Sequence, residues 1–256
     1  MSVRLTNALK QEYIDLFNTV EINPASFNTV DKAVADLHDK KAVYESVADP
    51  LGIPWHVVAA IHKLESNQKF TRHLHNGDSL NARTVNVPAG RPVEGSPPFS
   101  WEESAIDALT RRKLHQVDSW SLPETLYEIE GFNGWGYRKF HQHVKSPYLW
   151  GSSNHYIKGK YVADGTWSDT AKSRQIGAAV VIKRMQQQGL IDLFTTAPSK
   201  PILRFSKRSV NRGEDLQRFL NTFDGIALRV DGWTGTKTSD AMEKVFGFRL
   251  HGDPDA

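Results

Sequence analysis

Residues 55–70 read WHVVAAIHKLESNQKF, and the spacing within this run decides how the rest of the chain is organised. Pro54 suits the first turn of a helix, where a missing N–H costs nothing. Val58, Ile61 and Glu65 then recur at intervals of three and four residues, on one line of that helix. A carboxylate that continues an apolar stripe is partly desolvated. Desolvation disfavours the charged form, so the pKa of Glu65 is expected to rise toward that of a working general acid. Ser66, Asn67 and Gln68 end the apolar run, as where a helix opens onto a polar cleft. The competing reading is a glutamate at a solvated helix end.

On the N-terminal side, Leu5, Leu9, Tyr13, Leu16 and Val20 form one amphipathic stripe, and Val30, Val34 and Leu37 start a second. On the C-terminal side, residues 70–99 carry turn signals at Asn76-Gly77 and at Pro88–Gly90, which suggests a hairpin-like loop reaching from the end of the Glu65 helix. Two capping boxes follow, Ser100 with Glu103 and Ser121 with Glu124, the second with Pro123 in its first turn and Gly131 as its expected stop. An aromatic, glycine-rich loop leads to a small-residue helix around Gly177, Ala178 and Ala179, which can approach a neighbour closely. Residues 195–209, with two prolines and four basic residues, suit a linker. Beyond it, Asn211 and Glu214 suggest a cap, Leu216, Phe219, Leu220 and Phe223 a stripe, and Ala241–Phe246 a last short helix. The expected fold class is therefore mainly α (α+β), with a catalytic-sized domain at 1–194 that includes N-terminal helices at 1–48, a linker at 195–209 and a small module at 210–256.

The 256 residues contain no cysteine, which excludes disulfides, thiolate metal sites and a Cys nucleophile. A hydrophobic content of 39% with seven Trp supports a packed core, while the apolar runs, such as Ile176–Ile182, are too short to span a bilayer. The N-terminus has no apolar signal-like stretch. The net charge of +3 is compatible with an anionic polymer, but no basic block with interleaved aromatics points to nucleic acid.

Two segments resemble peptidoglycan-active families. Glu65-Ser66 at a helix end and the later Asn133–Tyr137 loop, NGWGY, resemble the lysozyme-like superfamily, especially goose-type lysozymes and soluble lytic transglycosylases, over about residues 50–190. The tail is similar to the small three-helix peptidoglycan-binding module, through Leu216-Gln217, Asp231–Thr238 (DGWTGTKT) and Ala241–Phe246. The pairing implies a wall-cleaving domain tethered to a wall-binding one, as in phage endolysins and bacterial autolysins, where tethering raises the local concentration on an insoluble substrate. It implies wall binding beside Asp231 and Trp233, and a substrate-contacting role for Ser66, Asn133 and Gly134.

A glycosidase needs a protonated acid and can use a second carboxylate as base or nucleophile. Glu65 is the acid in this reading. Asp78, thirteen residues on in the loop, is the first candidate partner, and goose-type lysozymes carry an Asp at a similar remove. Asp164 in ADGTW is the second. Either could instead be a turn residue. Trp135, Tyr137, Tyr148, Trp150, Asn154, His155 and Tyr156 offer ring faces and polar groups for sugars, or form a core corner. Gly77-Asp78-Ser79-Leu80 spells an esterase motif, but Ser79 follows a helix and a polar loop rather than a strand. His73/His75 and His141/His143 lack a third clustered ligand, so no metal site is expected.

The expected function is cleavage of the β-1,4 bond between N-acetylmuramic acid and N-acetylglucosamine in peptidoglycan glycan strands. No cofactor, nucleic acid or membrane insertion is implied. The alternatives are a lytic transglycosylase forming 1,6-anhydromuramic products and a non-catalytic wall-binding protein. Synthesis in the cytoplasm and action on the wall after holin-dependent release would fit an endolysin.

Overall fold

The structure is a computed structural model and describes residues 3–163, 165–193, 203–210 and 212–255. It is mainly helical and divides into two compact units, Met1–Thr196 and Ala197–Ala256.

The first unit is built around the helix that carries Glu65. Three helices precede it, α1 (Asn7–Asn18), α2 (Phe27–His38) and α3 (Lys41–Leu51). The central helix α4 runs Trp55–Ser66. After a long loop come α5 (Trp101–Arg111), α6 (Leu122–Asn133), α7 (Gly136–Phe140), α8 (Pro147–Trp150) and α9 (Ala178–Gln187). Val57 through His62 of α4 are all buried, as is Leu64, so α4 is enclosed on every side, with α3, α6 and α9 packed around it. The stripes read at the N-terminus reach this core: Leu9, Tyr13 and Val20 are buried, as are Val30, Val34 and Leu37.

The local signals are realised unevenly. Ser100 and Glu103 form the expected reciprocal box at the start of α5. Ser121 makes no side-chain cap, and Glu124 pairs with Lys10 of α1 instead of closing the box. Gly131 does not stop α6, which continues to Asn133 and is closed by Gly134 at φ +97°. A Cβ at Gly131 would lie 3.0 Å from Cζ2 of Trp135, so this glycine makes room for the indole instead. Gly177 behaves as expected of a close approach: a Cβ there would meet the Leu149 carbonyl oxygen at 2.1 Å, which locks the start of α9 onto α8.

The paired strands lie elsewhere than expected. In 70–99 the only ladder contact among the described residues is a single antiparallel bridge, Arg72 with Ser79; the rest is turns held by side chains. The two-stranded antiparallel sheet is formed by β1 (Lys160–Ala163) and β2 (Thr166–Ser168), with Tyr161 opposite Trp167.

The second unit contains α10 (Gly213–Leu220) and α11 (Thr236–Phe246), two helices among its described residues rather than three. Residues 221–235 form turns, closed where Asn221 bonds both the N–H and the carbonyl of Leu228. Part of the expected linker belongs to this unit: Ser206 N–H donates to the Thr234 carbonyl and Val210 N–H to the Gly232 carbonyl. Residues 194–202 and Asn211, with its expected cap, lie outside the described residues.

Gln217 is the polar centre of this unit. Its amide N–H groups donate to Asp231 Oδ1 and the Trp233 carbonyl at 3.0 and 2.9 Å, and its Oε1 accepts from the N–H groups of Asp231 and Gly232 at 2.9 and 2.8 Å. Gln217→Ala removes the acceptor of the Asp231 and Gly232 N–H groups, while the Trp233 carbonyl keeps Thr238 and Asp231 Oδ1 keeps the Trp233 N–H; a buried N–H left unpaired costs about 1–3 kcal/mol. Urea titration of the full chain is expected to show loss of at least about 2 kcal/mol in the transition of this unit; an unchanged midpoint would mean that the network is dispensable.

Candidate functional site

Glu65 sits in the last turn of α4, half-buried, with its carboxyl group surrounded by protein. The Tyr148 hydroxyl of α8 donates to Glu65 Oε1 at 2.6 Å. Burial pushes the Glu65 pKa up to about 7, outweighing the Tyr148 hydrogen bond and the positive charge of Arg112, both of which lower it. The same burial, with the Glu65 carboxylate beside it, drives the Tyr148 pKa well above its ordinary value, so the phenol stays a donor. Since Tyr148 occupies Oε1, the proton of the neutral acid is carried on Oε2. That oxygen has no hydrogen-bond partner among the described residues, and it is not among the enclosed unpaired side-chain atoms, which are His62 Nε2, Arg83 Nη1 and Trp101 Nε1. It is therefore not fully enclosed.

The backbone around this acid is held from several sides. A Cβ at Gly77, which has φ +78°, would stand 2.8 Å from the Glu65 carbonyl oxygen, so only glycine lets the loop approach here. Gln175 donates to the Leu64 carbonyl at 3.1 Å. Ser66 Oγ bonds back to the His62 carbonyl at 3.4 Å and is buried, which makes it part of the helix end. His62, one turn before Glu65, accepts from or donates to Tyr44 at 3.0 Å, and burial lowers its pKa to about 4. It therefore places no charge beneath the acid at neutral pH.

Asp78 has the opposite character. Its Oδ2 accepts from Val85 N–H, Asn86 N–H and Asn76 Nδ2 at 2.8, 3.0 and 3.1 Å, and its Oδ1 from Asn86 Nδ2 at 2.6 Å. Burial acts to raise its pKa, but these bonds, led by those from Asn86, outweigh it and hold the group below the usual carboxylate range. Asp78 organises its own loop. The loop is fastened to α5 by a second network: His73 Nδ1 meets Ser104 Oγ at 2.8 Å, and Asp107 bonds both His75 Nε2 at 2.7 Å and Arg91 Nε at 2.8 Å. His73, His75 and Ser104 are all buried, so this is a staple between loop and helix.

The other residues singled out from the sequence divide into separate places. Trp135 packs on Tyr127 with ring centroids 4.8 Å apart, beside exposed Asn133 and the positive-φ Gly134. Tyr137 joins Tyr161 and Trp167, and His141 stacks on Trp167 at 3.5 Å. Trp150 is 1% exposed and offers no ring face to a ligand, a correction to its expected sugar contact. Asn154 is likewise a tie within the fold: its Oδ1 accepts from Glu21 N–H and its Nδ2 donates to the Thr19 carbonyl, each at 3.0 Å. Tyr156 is buried, with its hydroxyl between Gly159 and Ser173. Asp164 lies outside the described residues. In the second unit Asp231 is engaged by Gln217 and by Trp233 N–H, whereas Trp233 itself is 54% exposed.

Three residues that act on Glu65 or on the helix end carrying it escaped the sequence reading. Tyr148 was expected to present a ring to sugar and instead presents its hydroxyl to the acid. Gln175 carried no signal. Arg112, within the basic run Arg111–Lys113, was not singled out. Two cavities, of about 790 and 720 Å3, are lined without Glu65, one by Phe70, Leu80 and Trp101 among others, the other by Glu12, Glu130 and Arg138. The candidate site is marked by the raised pKa of Glu65 rather than by the size of a cavity. Among the described residues no group of His, Asp and Glu could hold a metal ion, and no helix is long and apolar enough to cross a membrane. No family model, curated protein or solved structure matches the chain.

The raised pKa of Glu65 has a consequence for stability. The folded state holds this proton more tightly than an unfolded glutamate with a value near 4.5, so the contribution is full below that pH and is lost as pH rises through about 7. Glu65→Gln, which keeps an acceptor for Tyr148, is expected to match the wild type at pH 4 and to exceed its stability at pH 8 by on the order of 3 kcal/mol. Denaturant titrations at the two pH values check this, and equal differences at both would show an ordinary pKa.

Proposed function

We propose that this protein is a peptidoglycan-cleaving glycosidase of the muramidase type, in which Glu65 protonates the leaving oxygen of the β-1,4 bond between N-acetylmuramic acid and N-acetylglucosamine. The observation that supports this reading is the half-buried carboxyl at the end of α4, with one oxygen held by Tyr148, the other unpaired among the described residues, and a pKa of about 7. A group of that pKa is a competent acid near neutrality. The Glu-Ser pair and the NGWGY loop, similar to those of lysozyme-like enzymes, lend support from the sequence, and the tail's likeness to wall-binding modules supplies a substrate. Trp233, exposed on its turn, is the residue of that tail best able to stack on a sugar. In this reading the protein acts on the wall after release, as endolysins do.

A second reading, a lytic transglycosylase, is favoured by one observation. Asp78 is a poor base, with Oδ2 accepting three hydrogen bonds and its pKa held low. If no second carboxylate serves, Glu65 acts as acid and then as base, and the muramic 6-hydroxyl attacks in place of water.

Mass spectrometry of the fragments released from purified peptidoglycan tests both. Reducing muramic ends identify hydrolysis, and 1,6-anhydromuramic ends identify transglycosylation. Glu65→Gln is expected to lower the rate about 10²–10⁴-fold, and the wild-type rate should fall as pH rises above about 7, where the acid loses its proton. Full release by a folded Glu65→Gln protein, or none by the wild type, would overturn the enzymatic reading.

A further inference from the structure

Arg112, the residue that closes α5, carries a charge that acts on Glu65 without an ion pair between them. Its guanidinium donates from Nη1 to the Gly131 carbonyl at 3.2 Å and from Nη2 to the Phe132 carbonyl, and it lies 5.0 Å over the Phe132 ring. These contacts fix it at the C-terminal end of α6, immediately before the Asn133–Tyr137 loop. Its charge reaches both Glu65 and Tyr148. A cation capping the last carbonyls of a helix is an ordinary arrangement, and it accounts for two of the five N–H groups that a guanidinium carries. The other three have no partner among the described residues.

The charge is also uncompensated. Arg91, Arg138 and Arg184 of the same unit are each paired with a carboxylate, Asp107, Glu130 and Asp31 respectively, whereas no carboxylate lies in ion-pair contact with Arg112 among the described residues. Arg111 and Lys113 flank it, and all three are exposed. A guanidinium fixed by two carbonyls, with free donors and no carboxylate paired to it among the described residues, suits an anionic carboxylate better than any neutral group.

We propose that Arg112 binds a carboxylate carried by the substrate, next to the bond that Glu65 protonates. This rests on the glycosidase reading above and makes its substrate an anionic glycan. In peptidoglycan the carboxylate has two sources, the lactyl group of a muramic residue stripped of its peptide, or the stem peptide on an intact one. Arg112 is then a specificity-determining residue: a neutral glycan of the same backbone gains nothing from it.

The test uses the full chain and soluble muramic-containing oligosaccharides in three forms: with stem peptides, with the peptides removed to free the lactyl carboxylate, and with stem-peptide carboxylates amidated. Arg112→Met removes both charge and caps, and Arg112→Gln keeps a donor for the carbonyls while removing the charge. Both variants are expected to lower kcat/KM about 10–100-fold, mainly through KM, on the form whose carboxylate is recognised. On the amidated form the wild type should fall to the level of the variants. Loss confined to the peptide-bearing form identifies the stem peptide, and loss confined to the stripped form identifies the lactyl group. An equal loss on all three forms would mean that Arg112 acts only through Glu65 or the fold, and no loss on any would remove it from the site; either overturns the proposal while leaving the glycosidase reading intact. Binding of the same oligosaccharides to Glu65→Gln, with and without Arg112→Gln, separates the two levels. A wild type that cleaves none of them and a Glu65→Gln protein that binds none would overturn both.

Discussion

The hydrogen bond from Tyr148 to Glu65 joins the two elements on which the first unit depends. A carboxyl at the end of a helix enclosed on all sides has to be neutral or bonded, because an unpaired charge there is costly. The phenol satisfies one oxygen without adding charge. Its position follows from backbone packing: α8 is only one turn long, but Gly151 and Gly177 bring its backbone so close to residues 175–177 that a Cβ at either would fall within 2.2 Å of a carbonyl oxygen. A short helix pinned in this way has little freedom to withdraw its tyrosine. The free carbonyls at the end of α4 are met as well, that of Leu64 by Gln175 and that of His62 by the N–H of Gln68.

The carboxylates of this unit show how surroundings assign roles to chemically similar groups. Glu130 is 3% exposed and, like Glu65, accepts from a tyrosine at 2.6 Å, here Tyr13. It also accepts from Arg138 Nε at 2.8 Å, and Arg138 in turn contacts Glu12. That group is tied at Oε2 both to a tyrosine and to a charged guanidinium. Asp78 is surrounded by N–H donors that favour its charged form. Of these three carboxylates, Glu65 is the one that burial raises to about 7 and that a single neutral donor holds. The separation of Glu65 and Asp78 in acidity, one raised and one lowered, is the pattern by which a site divides proton donation from other duties, though here the low member spends its lone pairs on the loop.

Much of the frame was legible because it follows from periodicity. The stripe through Val58, Ile61 and Glu65 located both the central helix and its acid, and the burial of Leu9, Tyr13, Val30, Val34 and Leu37 follows from the same spacing. The errors occur where a long-range contact overrides a local signal. Glu124 leaves its capping box for Lys10, more than a hundred residues away, and Gly131 stays helical because Trp135 needs its space. The hairpin expected at 70–99 fails because Asp78, Asn76 and Thr84 supply side-chain partners for the backbone that a ladder would otherwise provide. Aromatic composition alone could not distinguish a platform from a core: Trp150 and Trp135 occur in similar Gly- and Asn-rich sequence, yet one is enclosed and the other half-buried. Nor could it say that Tyr148 would be used at its hydroxyl.

The second unit shows the same trade between apolar and polar order on a smaller scale. Its buried apolar residues, among those described, are Leu220, Ala241, Met242 and Leu250, a core too small to carry a module of this size by area alone. Gln217 and Arg249 take up part of that task, the first by fixing the Asp231–Trp233 turn, the second by bonding Asp240, Glu243 and Asp253. Gly213 and Gly232 let α10 press against the same turn, where a Cβ on Gly213 would lie 2.3 Å from the Gly232 carbonyl oxygen. The outcome is an indole more than half exposed on backbone that is bonded from beneath. An aromatic face held in this way loses little conformational freedom when it meets a ligand, so its affinity is set by the contact rather than by the cost of ordering a loop. The Leu-Gln and Asp-Gly-Trp signatures that drew attention in the sequence thus have a physical reason to occur together, since the glutamine builds the turn that presents the tryptophan.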